Sequence, residues 1–204
     1  VFKLIFLFFF SYILGSIPFA LIVSLPQGVD PRKEGSKNPG ATNVARLLGK
    51  KWGILTFIGD SSKGIIALLV ALLSLDKFPY SKDLVLAGTA FFAVLGHLFS
   101  IFLKFRGGKG VATTIGVFLV LAPKAMIASL IIFLIAVIIS NYVSVGSLLA
   151  TALLPLNIFL FDYPSEYIIC SLFLAILIWI KHKDNIKRLL RGEEKTWRKI
   201  KNDR

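Results

Sequence analysis

The chain has 204 residues, 56 % hydrophobic and 17 % charged, with a mean hydropathy of +0.78. Soluble domains carry roughly 45–50 % apolar and about 25 % charged residues, so this composition reads as an integral membrane protein. The formal net charge of +13 suits anionic headgroups or phosphorylated substrates; nucleic acid is not expected, because no basic domain stands apart from the apolar segments.

Crossing about 30 Å of hydrocarbon takes a helix of about 20 apolar residues. In chain order the predicted spans are 4–25, 52–75, 84–103, 111–122, 125–140, 143–161 and 165–181. The first is long and holds Gly15-Ser16-Ile17-Pro18 instead of a small-residue cleavage site, so a span is expected and not a signal peptide. Within the second, Asp60 and Lys63 are spaced i, i+3 and share a face. A structural ion pair and a part of a site are both open readings. His97 lies in the third, about two turns inside the membrane if that helix runs to Lys104; a hydrogen bond to a neighbouring helix is its expected role. Pro123 and Lys124 divide the short fourth and fifth spans, and one kinked helix over 111–139 is the alternative. The single cysteine, Cys170, falls in the last span and allows no disulfide or cysteine-rich metal site within the chain.

Charge decides between seven spans and six. Lys and Arg favour cytoplasmic loops. With seven spans, loop 26–51, loop 104–110 and tail 181–204 share one side and carry nineteen of the 24 Lys and Arg residues. Lys3, Lys77, Lys82 and Lys124 fall on the other. The expected fold is therefore an all-α polytopic membrane protein with seven transmembrane helices, N-terminus out and C-terminus cytoplasmic. No internal repeat or linker divides it, so residues 1–204 are expected to form a single membrane domain.

Four polar stretches lie on the charged side. "EGSKNPGATNVAR" (34–46) combines chain breakers with Ser36, Asn38, Thr42 and Asn43, and Arg46 supplies a fork suited to phosphate. Thr42 or Asn43 can also cap a short helix over 44–49. "FRGGKGVATT" (105–114) places Gly107, Gly108 and Gly110 where backbone can approach a ligand closely. The helix after it offers free N–H groups, and Lys104, Arg106 and Lys109 add charge. A phosphate cradle and a tight cytoplasmic turn are the two readings. "NYVSVGS" (141–147) clusters Asn141, Ser144 and Ser147 at a helix start. "KHKDNIKRLLRGEE" (181–194) puts His182 and Asn185 on one face, extended by Arg188. A neutral His182 can accept a proton; the alternative is a snorkelling basic helix end. Together these stretches suggest a site for a small phosphorylated substrate beside a lipid-soluble one.

The chain resembles the bacterial acyl-phosphate:glycerol-3-phosphate acyltransferases of the PlsY family. The matching stretches are "GSIPFA" (15–20), "GSKNPGATNVAR" (35–46), "DSSKG" (60–64), "GHLFSIFLKFRGGKGVAT" (96–113), "YVSVGS" (142–147) and "HKDNIKRLLRGEE" (182–194). The resemblance implies a seven-span inner-membrane enzyme that moves a fatty acyl group from acyl phosphate to glycerol 3-phosphate, giving 1-acyl-glycerol 3-phosphate for phospholipid synthesis. It implies Ser36 and Arg46 from the first motif, and Gly107, Gly108 and Lys109 from the glycine loop. From the last motif it implies His182, Asn185 and a structural glutamate, for which Glu193 and Glu194 both stand near. Ser100 replaces the family's usual Pro, and Asn141 its usual Arg.

On this reading His182, Asn185, Ser36 and Lys104 are the catalytic candidates. Ser36, Thr42, Asn43, Arg46, Lys104, Gly107, Gly108, Lys109, Gly110, Ser144, His182, Asn185 and Arg188 are the candidates for binding substrate. The H-x-x-x-x-D pattern of other glycerolipid acyltransferases is missing, since Phe102 and Lys187 stand five residues after the two histidines. No metal or cofactor is expected. The partners expected are glycerol 3-phosphate, acyl phosphate and membrane lipids, with the protein a monomer. The alternative function is a transporter of a phosphorylated solute, which short spans and buried charges would suit.

Overall fold

The computed structural model describes residues 1–197; among these the ordered elements are helices and no strand is present. The expected tail 181–204 therefore lies partly outside the described residues, from 198 onward. The chain divides into two compact units, Val1–Leu121 and Ala122–Arg204.

The first unit contains α1 (Phe2–Ser16), α2 (Phe19–Ser24), α3 (Ala41–Leu48), α4 (Lys50–Leu72), α5 (Lys82–Leu98) and α6 (Val111–Leu121). Pro18 has no N–H to continue α1, so the first predicted span is two helices joined at Ile17, whose ψ is 121°. α1 packs along α5, and α4 contacts α1, α3, α5 and α6. Small residues permit the closest of these approaches. A Cβ on Gly15 would run into the Ala93 backbone, and one on Gly96 into the backbone of Tyr12. Side-chain hydrogen bonds then lock the pair, as interhelical polar contacts do in membranes. The Tyr12 hydroxyl donates to Phe99 O (2.6 Å) and Ser100 Oγ to Ser16 O (2.5 Å).

The second unit contains α7 (Pro123–Ser140), α8 (Val143–Leu160), α9 (Ser165–Lys181) and α10 (Lys183–Leu190). α7 packs on α8 and α8 on α9. Asn157 Nδ2 donates to Ser129 Oγ (2.9 Å) across the first pair, and Trp179 Nε1 to Leu148 O (3.2 Å) across the second.

Burial follows the logic of a lipid solvent. Phe2, Ile138, Ile139, Phe159 and Phe173 are exposed, whereas Ser11, Thr56, Ser129 and Asn157 are buried. Each predicted span contains helix, but the first is broken at Ile17 and the third leaves α-helix after Leu98. Among the described residues five runs are long and apolar enough to cross a membrane: Phe2–Gln27, Lys50–Leu72, Lys82–Leu103, Pro123–Ser140 and Val143–Leu160. α9 and α10 together pass the same test but bend by 58°. α6 is an apolar helix of 11 residues, roughly 17 Å long at 1.5 Å per residue. The kinked helix over 111–139 is not formed: Ala122, at φ −144° and ψ 67°, separates α6 from α7.

Two sequence expectations need correction. α5 ends at Leu98, not near Lys104, because Phe99 leaves helical geometry (φ −128°, ψ 58°) and Ser100 is tied to Ser16. His97 therefore sits in the last turn of α5. α3 begins at Ala41 with Gly40 as its N-cap, so Thr42 and Asn43 lie inside the helix and do not cap it.

Candidate active-site residues

In the first unit, the loop before α3 is built around Asn43. This side chain is buried. Its Oδ1 accepts from Ser36 N (2.8 Å), while Nδ2 donates to Pro31 O (2.9 Å) and Glu34 O (3.1 Å). Asn43 thus holds the loop that carries Ser36, which is half-buried. Thr42 and Arg46, four residues apart on α3, share a face and are also half-buried. At the loop's outer end Arg32 Nε and Nη2 donate to the two Asp30 oxygens (2.9 and 2.8 Å). Those bonds from Arg32 pull the Asp30 carboxyl down to about 2.

The glycine segment is more constrained than a ligand cradle requires. Lys104 and Phe105 both adopt left-handed backbone (φ 51° and 61°), as does Gly110 (φ 85°). For L-residues in succession this conformation is costly. It is held by Phe105 N donating to Ser100 O (2.8 Å) and Arg106 N to Leu103 O (3.0 Å). Lys104 is exposed and Lys109 half-buried. The Gly108 N–H donates to His97 O (3.1 Å). A Cβ on Gly107 would overlap His97 O, and one on Gly108 would overlap His97 Nε2. The close approach inferred for these glycines is therefore made to His97, and the Gly108 N–H is already engaged. Gly108 does not use the left-handed region.

His97 bonds a neighbouring helix as expected, in a buried group with Asp60 and Lys63, the pair that helical spacing left open between a structural ion pair and a part of a site. Lys63 Nζ lies 2.9 Å from Asp60 Oδ1 and 3.0 Å from His97 Nδ1, and donates to Ile17 O at 2.9 Å. His97 Nδ1 is 3.5 Å from Asp60 Oδ1. The i, i+3 spacing of Asp60 and Lys63 signalled the pair; no sequence signal brought His97 to it from another helix.

In the second unit, Glu194 gathers three of the predicted residues. Its Oε1 accepts from Ser144 Oγ (2.9 Å) and Asn185 Nδ2 (2.6 Å), and its Oε2 from Arg188 Nε (2.7 Å). Glu194 is buried and makes these bonds, whereas Glu193 is exposed. Burial pushes its carboxyl up, but the bonds from Asn185, Arg188 and Ser144 outweigh this and hold it below the usual carboxylate range. Trp197 N donates to Asn141 O (2.8 Å) and fastens the same segment beside the start of α8. Asn141 itself ends α7 in the left-handed conformation (φ 64°). Ser147 Oγ bonds Val143 O within α8.

His182 stands at the bend between α9 and α10 and is 2 % exposed. Its Nδ1 lies 2.8 Å from Ile178 O. A carbonyl only accepts, so Nδ1 carries hydrogen, and in the neutral ring Nε2 is the basic nitrogen. Among the described residues no three His, Cys, Asp or Glu side chains are grouped to hold a metal ion.

Comparison with known proteins finds relatives over nearly the whole chain. Residues 5–192 match the family model described as glycerol-3-phosphate acyltransferase. A glycerol-3-phosphate acyltransferase of Desulfotalea psychrophila is 49 % identical over 189 residues, covering 93 % of this chain and 95 % of its own. One of Trichlorobacter lovleyi is 44 % identical, covering 90 % and 92 %. Crystal structures of PlsY, an integral membrane glycerol 3-phosphate acyltransferase, superpose on this chain with 39 % identity. Its glycerol 3-phosphate form gives a TM-score of 0.87 with 96 % of each chain covered, and its lysophosphatidic acid form 0.85 with 95 % of each covered.

Proposed function

The chain belongs to the glycerol-3-phosphate acyltransferase family and transfers acyl groups to glycerol 3-phosphate; on that premise we propose that acyl phosphate is the donor and the 1-hydroxyl the acceptor. The products are 1-acyl-glycerol 3-phosphate and inorganic phosphate. The observation that carries the reading is the pair of PlsY forms with glycerol 3-phosphate and lysophosphatidic acid, which are acceptor and product of this reaction, on a fold shared over nearly the whole chain. The transporter alternative has no comparable support.

Acyl phosphate carries its own good leaving group. The protein must position two anions and stabilise the oxyanion formed when the hydroxyl attacks. Orientation contributes about 7–11 kcal/mol in favourable cases, and one oxyanion donor about 3 kcal/mol. In this reading Ser36, Thr42, Arg46, Lys104, Lys109 and the backbone of Gly107 and Gly110 bind phosphorylated groups, while Gly108, whose N–H is held by His97 O, keeps the segment in place for them. Asn43 serves them through the loop it holds. Ser144, Asn185 and Arg188 form the second set of contacts. His182 Nε2 removes the proton of the attacking hydroxyl, and the donor's phosphate is the competing base. The whole chain works as one domain and as a monomer.

The same proposal has seven spans in the bacterial inner membrane, with the N-terminus out and the C-terminus and active site cytoplasmic. It rests on the distribution of Lys and Arg. In a Cys170→Ser background, a cysteine at Lys82 is expected to react with an impermeant reagent from outside only. One at Lys199, beyond the described residues, is expected to react from the cytoplasm only. Labelling of both from one side removes the seven-span topology.

The reaction is tested directly. Purified protein given acyl phosphate and glycerol 3-phosphate is expected to release lysophosphatidate and phosphate in equal amounts. Product from acyl-CoA but not from acyl phosphate overturns the donor assignment.

A further inference from the structure

The buried Asp60–Lys63–His97 group has no role in the reaction as written, yet it contacts the glycine segment through His97 and the helix that follows it through the Asp60 carbonyl. Before the segment, His97 O accepts the Gly108 N–H (3.1 Å), and the His97 ring fills the space where a Gly108 side chain would stand. After it, Thr113 Oγ1 in the first turn of α6 donates to Asp60 O (2.8 Å). Lys63 closes the arrangement. Its Nζ reaches Asp60 Oδ1, His97 Nδ1 and Ile17 O within 3.0 Å. Three chain segments, the α1–α2 break, α4 and the end of α5, are thereby fixed around one ammonium group.

Such a group is expensive inside an apolar solvent. Ionisable side chains within spans are rare and are commonly tied to function. A buried ion pair often contributes less stability than well-packed apolar residues of the same volume would. Stability alone therefore does not account for it. What apolar residues cannot do is fix the direction of a ring and a backbone carbonyl, and both are directions that the glycine segment uses.

We propose that Asp60, Lys63 and His97 are positioning residues for the Gly107–Gly110 segment: Lys63 and Asp60 orient the His97 ring, and His97 sets where the segment's backbone stands to receive a substrate phosphate. The inference rests on the reading that this segment binds a phosphorylated substrate. The three side chains themselves touch no substrate.

The test uses purified full-length protein and steady-state kinetics with acyl phosphate and glycerol 3-phosphate, alongside thermal stability. Lys63→Met alone leaves a buried carboxylate unpaired and is prone to misfold, so the charge-neutral pair Asp60→Asn with Lys63→Met is the informative variant. It is expected to fold and to lose about ten- to a hundredfold in kcat/KM, the scale of an ångström-level misplacement. The loss is expected mainly in KM for one phosphorylated substrate. Lys63→Arg is expected to restore part of it. His97→Asn removes Nε2 but keeps a polar group near the Nδ1 position. Combined with Gly108→Ala, it should lose less than the product of the two single losses, because it vacates the space the new methyl needs.

Wild-type kinetics in the charge-neutral variant, with Gly108→Ala impaired, overturns the positioning role and leaves the phosphate reading standing. Losses at His97 and Gly108 that multiply independently also overturn it. Wild-type kinetics in Gly108→Ala itself removes the phosphate reading, and this inference with it.

Discussion

Replacing His182 with Gln is expected to lower kcat by roughly 10²–10⁴-fold, the usual contribution of a positioned general base. The KM for glycerol 3-phosphate should change far less. The reason is the tautomer: with Nδ1 held by Ile178 O at 2.8 Å, the basic lone pair of a neutral ring lies on Nε2. Gln can reproduce a polar contact but cannot take up a proton at neutral pH. His182 also sits at the 58° bend between α9 and α10, where its own N–H bonds the carbonyls of Ile178 and Trp179 and its carbonyl accepts from Ile186. Those backbone bonds do not depend on the imidazole, so the variant should stay folded. A folded His182→Gln protein with near-wild-type kcat would transfer the role of base to the donor's phosphate.

The second large effect is expected at Gly108. A surface turn would tolerate Gly→Ala at a cost of about 0.5–1 kcal/mol. Here the added methyl meets the ring of buried His97 and comes within 3.1 Å of Pro39 O. Forcing a group into a filled site costs about 1–3 kcal/mol. Relief must come from moving the His97 ring, which is held by Lys63, or from moving the segment. Gly108→Ala is therefore expected to lower thermal stability measurably and to reduce kcat/KM more than tenfold, each tenfold corresponding to about 1.4 kcal/mol. Both are read on the folded fraction, with each substrate varied in turn. Wild-type kinetics for both substrates would leave the glycines with a purely conformational role.

Much of this protein was legible in one dimension. A run of apolar residues becomes helix in lipid whatever it later touches, because its backbone must satisfy its own hydrogen bonds. That is why each predicted span contains helix and why the chain breaks at Pro123 as expected, although the break at Pro18 was not foreseen. The site motifs were legible for a related reason. Chain breakers with Ser, Asn, Arg and Lys stand out against an apolar background, and the family resemblance rested on their order along the chain.

What the sequence did not contain was the set of partners across helices. Glu193 and Glu194 are indistinguishable by composition. Only the fold places the second where Ser144, fifty residues away, and Asn185 donate to one of its oxygens and Arg188 to the other. Asn43 looked like a helix cap, and three hydrogen bonds turn it into the organiser of the loop bearing Ser36. The glycines of residues 107–110 suggested room for a ligand, but the structure fills that room with His97. His97 in turn completes a pair, Asp60 and Lys63, that helical spacing alone had revealed. Propensity, hydropathy and charge act through neighbours in sequence, so the chain by itself determined its helices and polar segments. Directional contacts between buried polar groups depend on which helices pack together, and that only the tertiary structure decided.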